Sequence, residues 1–162
     1  MNGLARRRQL VWVSVPVFFT LHFVLHIGLS YGREAPDFLT LGLLIAAREL
    51  SLGRAAGLGL VAGLLEDAMS LLAFGTNSVA MTVVATVGSV TRDLFIGDSR
   101  LFLPVYIFVG KWARDLIHWL AMGPEVRRPF IEQAVVEGSL GALYVSGIAI
   151  VFLIVLGSWS ER

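Results

Sequence analysis

Apolar runs of about 20 residues recur along this chain, and the first, residues 10–29, directly follows Arg6, Arg7 and Arg8. An α-helix needs about 20 such residues to cross a bilayer, whereas the core of a signal peptide has only about 7–15. Hydrophobic residues make up 56% of the sequence and charged residues 15%, against roughly 45–50% and 25% in soluble domains. A small aqueous core cannot bury that much apolar surface. We therefore expect an integral membrane protein.

The apolar segments and the breaks between them predict six transmembrane helices. The predicted spans are residues 10–29, 36–47, 53–72, 77–96, 101–122 and 134–157. They use nearly all of the 162 residues, so the sequence predicts a single all-α membrane domain, residues 1–162, with no sizeable aqueous part. The second segment is short, and the sequence leaves open whether it spans the membrane or only re-enters it.

Arginines outside the predicted spans set the orientation, because cytoplasmic loops carry an excess of positive charge. With six spans, eight arginines lie on one side and three on the other. The larger group is Arg6, Arg7, Arg8, Arg48, Arg54, Arg92, Arg100 and Arg162, and the smaller group is Arg33, Arg127 and Arg128. The larger group belongs in the cytoplasm, so both termini are expected there.

Several functional classes find no support in the sequence. With no cysteine, the chain can form neither a disulfide nor a thiolate zinc site. A net charge of +1 gives no reason to expect binding to nucleic acid. Phosphate-binding loops, nucleophile elbows and His-Glu-x-x-His motifs are absent, so we expect no catalysis and no cofactor. His22 and His26 lie one helical turn apart, but without a recognisable third ligand they do not predict a metal site.

Small residues line one face of the third predicted helix. At about 100° per residue, Gly59, Gly63 and Ser70 share a narrow face with Glu66. Small residues at this spacing let two membrane helices approach closely. This face is therefore predicted to be a helix-packing seam.

Charged side chains inside the predicted spans form the second pattern. Glu66 lies about 20 Å from the cytoplasmic end of its helix, and Lys111 and Arg114 lie about 16 and 21 Å from the cytoplasmic end of theirs. Because an unpaired charge at this depth costs several kcal/mol, we expect these groups to meet, with Asp67 pairing with Arg114. The predicted intramembrane polar cluster is Glu66, Asp67, Lys111, Arg114, Asp115, His118 and Glu137.

The sequence leaves three uses of this polar cluster open. It can be an ion network that holds the helices in register, a wet pocket for a solute, or a pathway for protons or metal ions. In the pocket interpretation, Glu66, Asp67, Arg114 and His118 hold a small polar ligand. The opposite side of the fifth helix is a candidate surface for a partner protein through Phe102, Tyr106, Trp112 and Trp119.

About residues 35–120 resemble the rod shape-determining protein MreD family. Three features carry the resemblance: Pro36-Asp37-Phe38 before a short span, the glycine-rich helix that ends in two acidic residues over 59–67, and a turn over 71–75 followed by Asn77. The family is in turn similar to the substrate-binding S-components of energy-coupling-factor transporters. The resemblance therefore implies an S-component-like bundle of six helices.

The resemblance also implies a function and partners. It implies a non-catalytic scaffold in the bacterial inner membrane that serves the cell-elongation machinery and peptidoglycan synthesis. The expected partner is the single-span protein MreC, and through it the cytoskeletal protein MreB and the wall-synthesising glycosyltransferase and transpeptidase pair. The alternative is a substrate-binding component of a vitamin or solute transporter, with a pocket that opens outward.

Overall fold

The computed structural model describes residues 3–25, 36–70, 73–91 and 102–160. Over these residues the chain is all-helical, as predicted, with six α-helices and no strand. The helices are α1 (Gly3–Phe23), α2 (Phe38–Ala47), α3 (Leu52–Asp67), α4 (Thr76–Thr91), α5 (Phe102–Ala121) and α6 (Gly138–Ser160), and a π-helical segment, Ile131–Glu137, leads into α6. Some residues used above lie outside the described ranges, namely His26, Arg33, Arg92, Arg100 and Arg162.

The short second segment forms the centre of the structure. All ten residues of α2 are buried, and the helix contacts each of the other five. Leu41 and Leu44 belong to a core cluster with Ile107 of α5, while Leu39 lies in a second cluster with Met81 of α4. A helix that is apolar on every side is one that its neighbours surround. α2 is thus only about 15 Å long at 1.5 Å per residue, and the other helices enclose it completely.

Gly59 and Gly63 lie directly against the backbone of α4. A Cβ atom built on Gly59 would lie 2.5 Å from the carbonyl oxygen of Met81, and one on Gly63 would collide with the backbone of Ser78. Ser70 is not part of this contact, because α3 ends at Asp67 and the Ser70 amide closes the following turn on the Asp67 carbonyl at 2.9 Å. The prediction that the third helix extends to residue 72 was therefore wrong at its C-terminal end.

Large apolar side chains are exposed on all five helices that surround α2. Representatives with more than half of their surface exposed are Val13 of α1, Val61 of α3, Val87 of α4, Val105 of α5 and Leu143 of α6. Within the described residues, one helical stretch, Ile131–Phe152, is both long and apolar enough to cross a membrane, and Trp12–Phe23 and Phe38–Ala47 are shorter apolar helices. The fifth helix has sufficient length, but it carries three charged residues in its second half, and α3 and α4 have only 16 residues each.

Candidate functional site

The polar residues of α5 face the interior of the bundle. Lys111 and Arg114 are buried, and Asp115 and His118 are half-buried. They share one side of the helix because positions three and four apart in sequence are neighbours on a helix surface. The structure thus places four polar side chains of one helix between α2, α3 and α6, where each positive charge needs a partner.

Arg114 joins three helices through its guanidinium group. Its Nη2 donates to Oε2 of Glu66 on α3 at 2.7 Å and to Oδ1 of Asn77 on α4 at 2.6 Å. Its Nη1 donates to Oδ1 of Asp115 at 3.0 Å. A planar guanidinium has several donors in fixed directions, so a single arginine can hold α3, α4 and α5 in register.

Lys111 joins α5 to the N-terminal end of α2. Its Nζ donates to both carboxylate oxygens of Asp115, at 2.6 and 2.5 Å, and lies 3.5 Å from Oδ2 of Asp37. Together with the contacts of Arg114, this makes a connected ion-pair network of Asp37, Glu66, Lys111, Arg114 and Asp115. Both cations are thus paired within the protein rather than by water, and the three carboxylates leave the network with one excess negative charge.

Asp37 is also the N-cap of α2. Its Oδ1 accepts from the Thr40 amide at 2.9 Å and its Oδ2 from the Thr40 hydroxyl at 2.7 Å. The buried His22 supplements this cap, since its Nδ1 accepts from the Leu39 amide at 3.3 Å. Within the described ranges, no three His, Asp or Glu side chains are grouped so that they could hold a metal ion.

Asp67 lies beside the ion-pair network but makes its hydrogen bonds to the start of α4 instead. Its side chain is fully buried, and its two oxygens accept from the amides of Asn77 and Ser78 at 3.0 and 2.9 Å and from the Ser78 hydroxyl at 2.5 Å. Its charge therefore lies at the positive end of the α4 dipole. The predicted pairing of Asp67 with Arg114 was wrong, because the first amides of α4 take both carboxylate oxygens and Glu66 takes the guanidinium.

A polar cavity of about 910 Å³ opens next to this network. Of the four residues predicted to hold a ligand, Arg114 and His118 line this cavity. Glu66 and Asp67 do not. Nδ1 of His118 and Nε of Arg114 are buried without a hydrogen-bond partner. The cavity is lined by Pro36, Asp37, Lys111, Arg114, Asp115, His118, Arg128, Gln133, Glu137, Gly138, Leu140, Gly141, Tyr144 and Val145.

Glu137 lines this cavity without joining the ion-pair network. Both of its oxygens accept from the Arg128 guanidinium, the Nη1 to Oε1 distance being 2.8 Å. The pair is partly exposed, with 33% of the Arg128 side chain and 45% of the Glu137 side chain accessible. The hydrogen bond to Glu137 raises the pKa of the Arg128 guanidinium. The expectation that Glu137 would contact the α5 cations was therefore wrong, because the loop before α6 supplies a closer cation.

The four aromatic residues of α5 that were predicted to face a partner are half-buried rather than free on the surface. The Tyr106 hydroxyl donates to the Leu44 carbonyl of α2 at 2.9 Å, and Trp112 lies beside Gly138 of α6. Trp119 donates from Nε1 to the Arg128 carbonyl at 3.0 Å. Phe102 stacks on Tyr106. Much of each ring is thus used inside the protein, and the most exposed apolar residues of this helix are valines and a leucine, Val105, Val109 and Leu120.

Three residues of the site escaped the prediction from sequence. Asp37 was predicted only as a helix start, Asn77 only as part of a turn, and Arg128 only as a loop charge. Asp37 and Asn77 lie at the outer ends of predicted spans, and Arg128 lies in the outer loop between two of them. That shared position was the available signal, because groups at one end of a bundle can meet whatever their separation in sequence.

The family described as rod shape-determining protein MreD matches residues 6–110, more than half of the chain. No curated protein matches the chain, and no solved structure does.

Proposed function

Because the chain belongs to the rod shape-determining protein MreD family, we propose that it is a non-catalytic membrane scaffold of the bacterial cell-elongation machinery. The family match over residues 6–110 is the observation that carries this proposal. It confirms the resemblance found in the sequence and implies a role in rod shape. The scaffold works by binding other membrane proteins and so helps to organise peptidoglycan synthesis along the side wall.

The proposed setting is the bacterial inner membrane, crossed six times, with both termini in the cytoplasm. The distribution of polarity supports a location in the membrane. Charged groups are gathered inside, as with Lys111 and Arg114, while valines and leucines are exposed on the five outer helices. A soluble protein seldom exposes so much contiguous apolar surface, whereas lipid is a suitable solvent for it.

The proposed partner is a single-span MreC-like protein, and through it MreB and the glycosyltransferase and transpeptidase pair. An internal ion-pair network supports a scaffold role because it fixes the relative positions of α2, α3, α4 and α5. A helix surface held in one arrangement can bind a partner helix by close van der Waals packing, the main attraction between helices in lipid.

Co-purification tests the partner proposal. The chain is expressed with a matched MreC-like protein that carries the affinity tag, and an unrelated single-span protein with the same tag is the control. We expect the chain to be retained by the matched partner at low and at high salt, because apolar helix packing is not screened by ions. Recovery of the tagged partner alone at every salt concentration would refute the proposal.

Crosslinking then locates the partner-binding face. A photoreactive residue is placed at Val61 of α3, Val105 of α5 or Leu143 of α6, since each side chain is exposed. A partner helix that binds one face will give a crosslinked product from one position and none from the other two. Equal products from all three positions would indicate non-specific collisions in the membrane and would count against a defined interface.

Solute binding is a second candidate function, and the polar cavity favours it. The cavity walls include the charged side chains of Lys111, Arg114 and Asp115, and a polar ligand could pair with them. Thermal shifts of the purified chain with vitamins and metal ions test this function, because a ligand that binds only the folded state raises the melting temperature.

Two glycines of α6 provide the variants for this test. Gly141→Leu places a side chain in the cavity, where a Cβ would lie 3.9 Å from Lys111 Nζ. Gly147→Leu is the control, since a Cβ there has open space. A ligand shift that Gly141→Leu abolishes and Gly147→Leu preserves would support solute binding. No shift with any compound at saturating concentration would contradict it.

A further inference from the structure

A second cavity, of about 270 Å³, lies between α4 and α5 and has entirely apolar walls. Val83 and Val87 of α4 and Val105 and Val109 of α5 line it, and the buried Leu44 of α2 lies behind them. All four valines are at least 40% exposed. The cavity is therefore an apolar groove that opens sideways, separate from the polar cavity described above.

Arg48 does not line this groove but lies beside its Phe102 end. Its guanidinium carbon is 4.7 Å from the centre of the Phe102 ring and 5.6 Å from that of Tyr106, and both rings line the groove. No carboxylate of the described residues lies within ion-pair distance of Arg48. Its Nε is buried without a hydrogen-bond partner. The groove thus has beside one end a half-buried arginine that makes cation–π contacts but no ion pair with the described residues.

The dimensions of the groove suit a hydrocarbon chain. From Phe102 to Ile117 its α5 wall is about 22 Å long at 1.5 Å per residue, which exceeds half of the roughly 30 Å hydrocarbon core. One leaflet contributes half of that core, so an acyl chain of one leaflet can lie along the wall of the groove.

We propose that this groove is a binding site for an anionic phospholipid, with an acyl chain between α4 and α5 and the phosphate group at Arg48. The apolar walls accept the chain, and the guanidinium pairs with the phosphate through charge-assisted hydrogen bonds. In the orientation proposed above, Arg48 faces the cytoplasmic leaflet, where anionic lipids attract basic residues. The lipid site itself does not depend on that orientation or on a role in cell shape.

Native mass spectrometry of the purified full-length chain in neutral detergent tests the headgroup. Phosphatidylglycerol and phosphatidylcholine with identical acyl chains are titrated separately. One arginine near the headgroup gives about a five-fold preference for an anionic lipid over a neutral one. We therefore expect the unmodified chain to bind about five times more phosphatidylglycerol than phosphatidylcholine. Arg48→Gln should remove the excess. Arg54→Gln is the matched control, because Arg54 is exposed at the start of α3 and its loss should leave the excess unchanged.

A second pair of variants tests the acyl chain. Val109→Trp narrows the groove and should reduce binding of both lipids, whereas Val79→Trp changes an exposed α4 residue outside the groove and should reduce neither. Equal retention of the two lipids by the unmodified chain would overturn the proposal, as would equal effects of Arg48→Gln and Arg54→Gln. A photoreactive residue at Val87 that crosslinks to a partner protein instead of lipid would assign the groove to that partner and likewise overturn it.

Discussion

Asp67 at the end of α3 holds the first turn of α4 through Ser78. One carboxylate oxygen, Oδ2, accepts from both the Ser78 amide, at 2.9 Å, and the Ser78 hydroxyl, at 2.5 Å. The first amides of a helix have no partner within the helix, so this carboxylate both satisfies them and offsets the positive end of the dipole. It thereby fixes α4 against α3 at the same level as the glycine contact.

Loss of the Asp67 carboxylate should destabilise the chain. In Asp67→Ala the amides of Asn77 and Ser78 lose their acceptor inside the protein, and we expect a loss of roughly 2–3 kcal/mol in the free energy of unfolding. Asp67→Asn keeps one acceptor oxygen and should lose less. Reversible unfolding in mixed micelles measures both variants.

Ser51→Ala is the control for this cap. Ser51 is the N-cap of α3, but its side chain makes no capping hydrogen bond, so the variant should unfold like the unmodified chain. If Asp67→Ala were as stable as Ser51→Ala, the Asp67 cap would make no contribution to stability.

Arg114 and Glu66 should be energetically coupled. Arg114→Ala leaves Glu66, Asp115 and Asn77 without their shared donor, and removing one member of a buried ion pair typically costs roughly 3–5 kcal/mol. Adding Glu66→Ala removes one stranded carboxylate and should recover part of that loss. The double-mutant cycle is measured as free energies of unfolding, with an expected coupling of about 1–3 kcal/mol.

The same cycle with Asp67 in place of Glu66 is the control. Asp67 bonds to α4 rather than to Arg114, so its effect should add to that of Arg114→Ala with little coupling. Coupling that is stronger with Asp67 than with Glu66 would contradict the observed arrangement.

Alanine substitutions along α3 should separate the packed glycines from the exposed ones. Gly59→Ala forces a methyl group against the Met81 carbonyl, so helix separation must increase, at a cost of roughly 1–3 kcal/mol. Gly57→Ala on the same helix has open space and should be neutral or up to about 1 kcal/mol more stable, because alanine favours helix. Thermal unfolding of the two variants, measured side by side, tests this difference in stability. Equal stabilities would refute the close contact between Gly59 and α4.

The Arg128 and Glu137 pair should contribute little to stability. Both side chains are partly exposed, and exposed pairs contribute about 0.2–1 kcal/mol. Arg128→Gln should therefore lower the free energy of unfolding by less than Arg114→Ala, and added salt should reduce its effect further. A salt-independent loss as large as that of Arg114→Ala would show that this pair is buried in the folded chain.

Much of the fold could be predicted from the sequence because apolar length and helix-breaking residues are local properties. Four of the six helices, α2 to α5, begin within two residues of the predicted starts, as α2 does after the Pro36-Asp37 signal. The end of α3 could not be predicted, because Leu64 to Leu72 continues the helical pattern. In the structure α3 ends at Asp67, whose carboxylate accepts from the amides of Asn77 and Ser78, ten and eleven residues further along the chain.

The sequence predicted many of the residues of the candidate site, but it predicted fewer of the contacts between them. Helical geometry places Lys111, Arg114 and Asp115 on one face of α5, and the cost of an unpaired charge in lipid requires partners for them. Neither argument distinguishes Glu66 from Asp67, which are adjacent in sequence. The structure assigns Glu66 to Arg114 and Asp67 to α4.

The sequence by itself determined that the chain is all-helical, which family it belongs to, and that its few internal charges need compensation. These follow from composition, periodicity and motif order, which do not depend on how the helices pack. Only the tertiary structure decided the enclosure of α2, the pairing of each carboxylate, and the separation of a polar cavity from an apolar groove. These depend on which helices are neighbours and on distances of a few ångströms between side chains far apart in sequence.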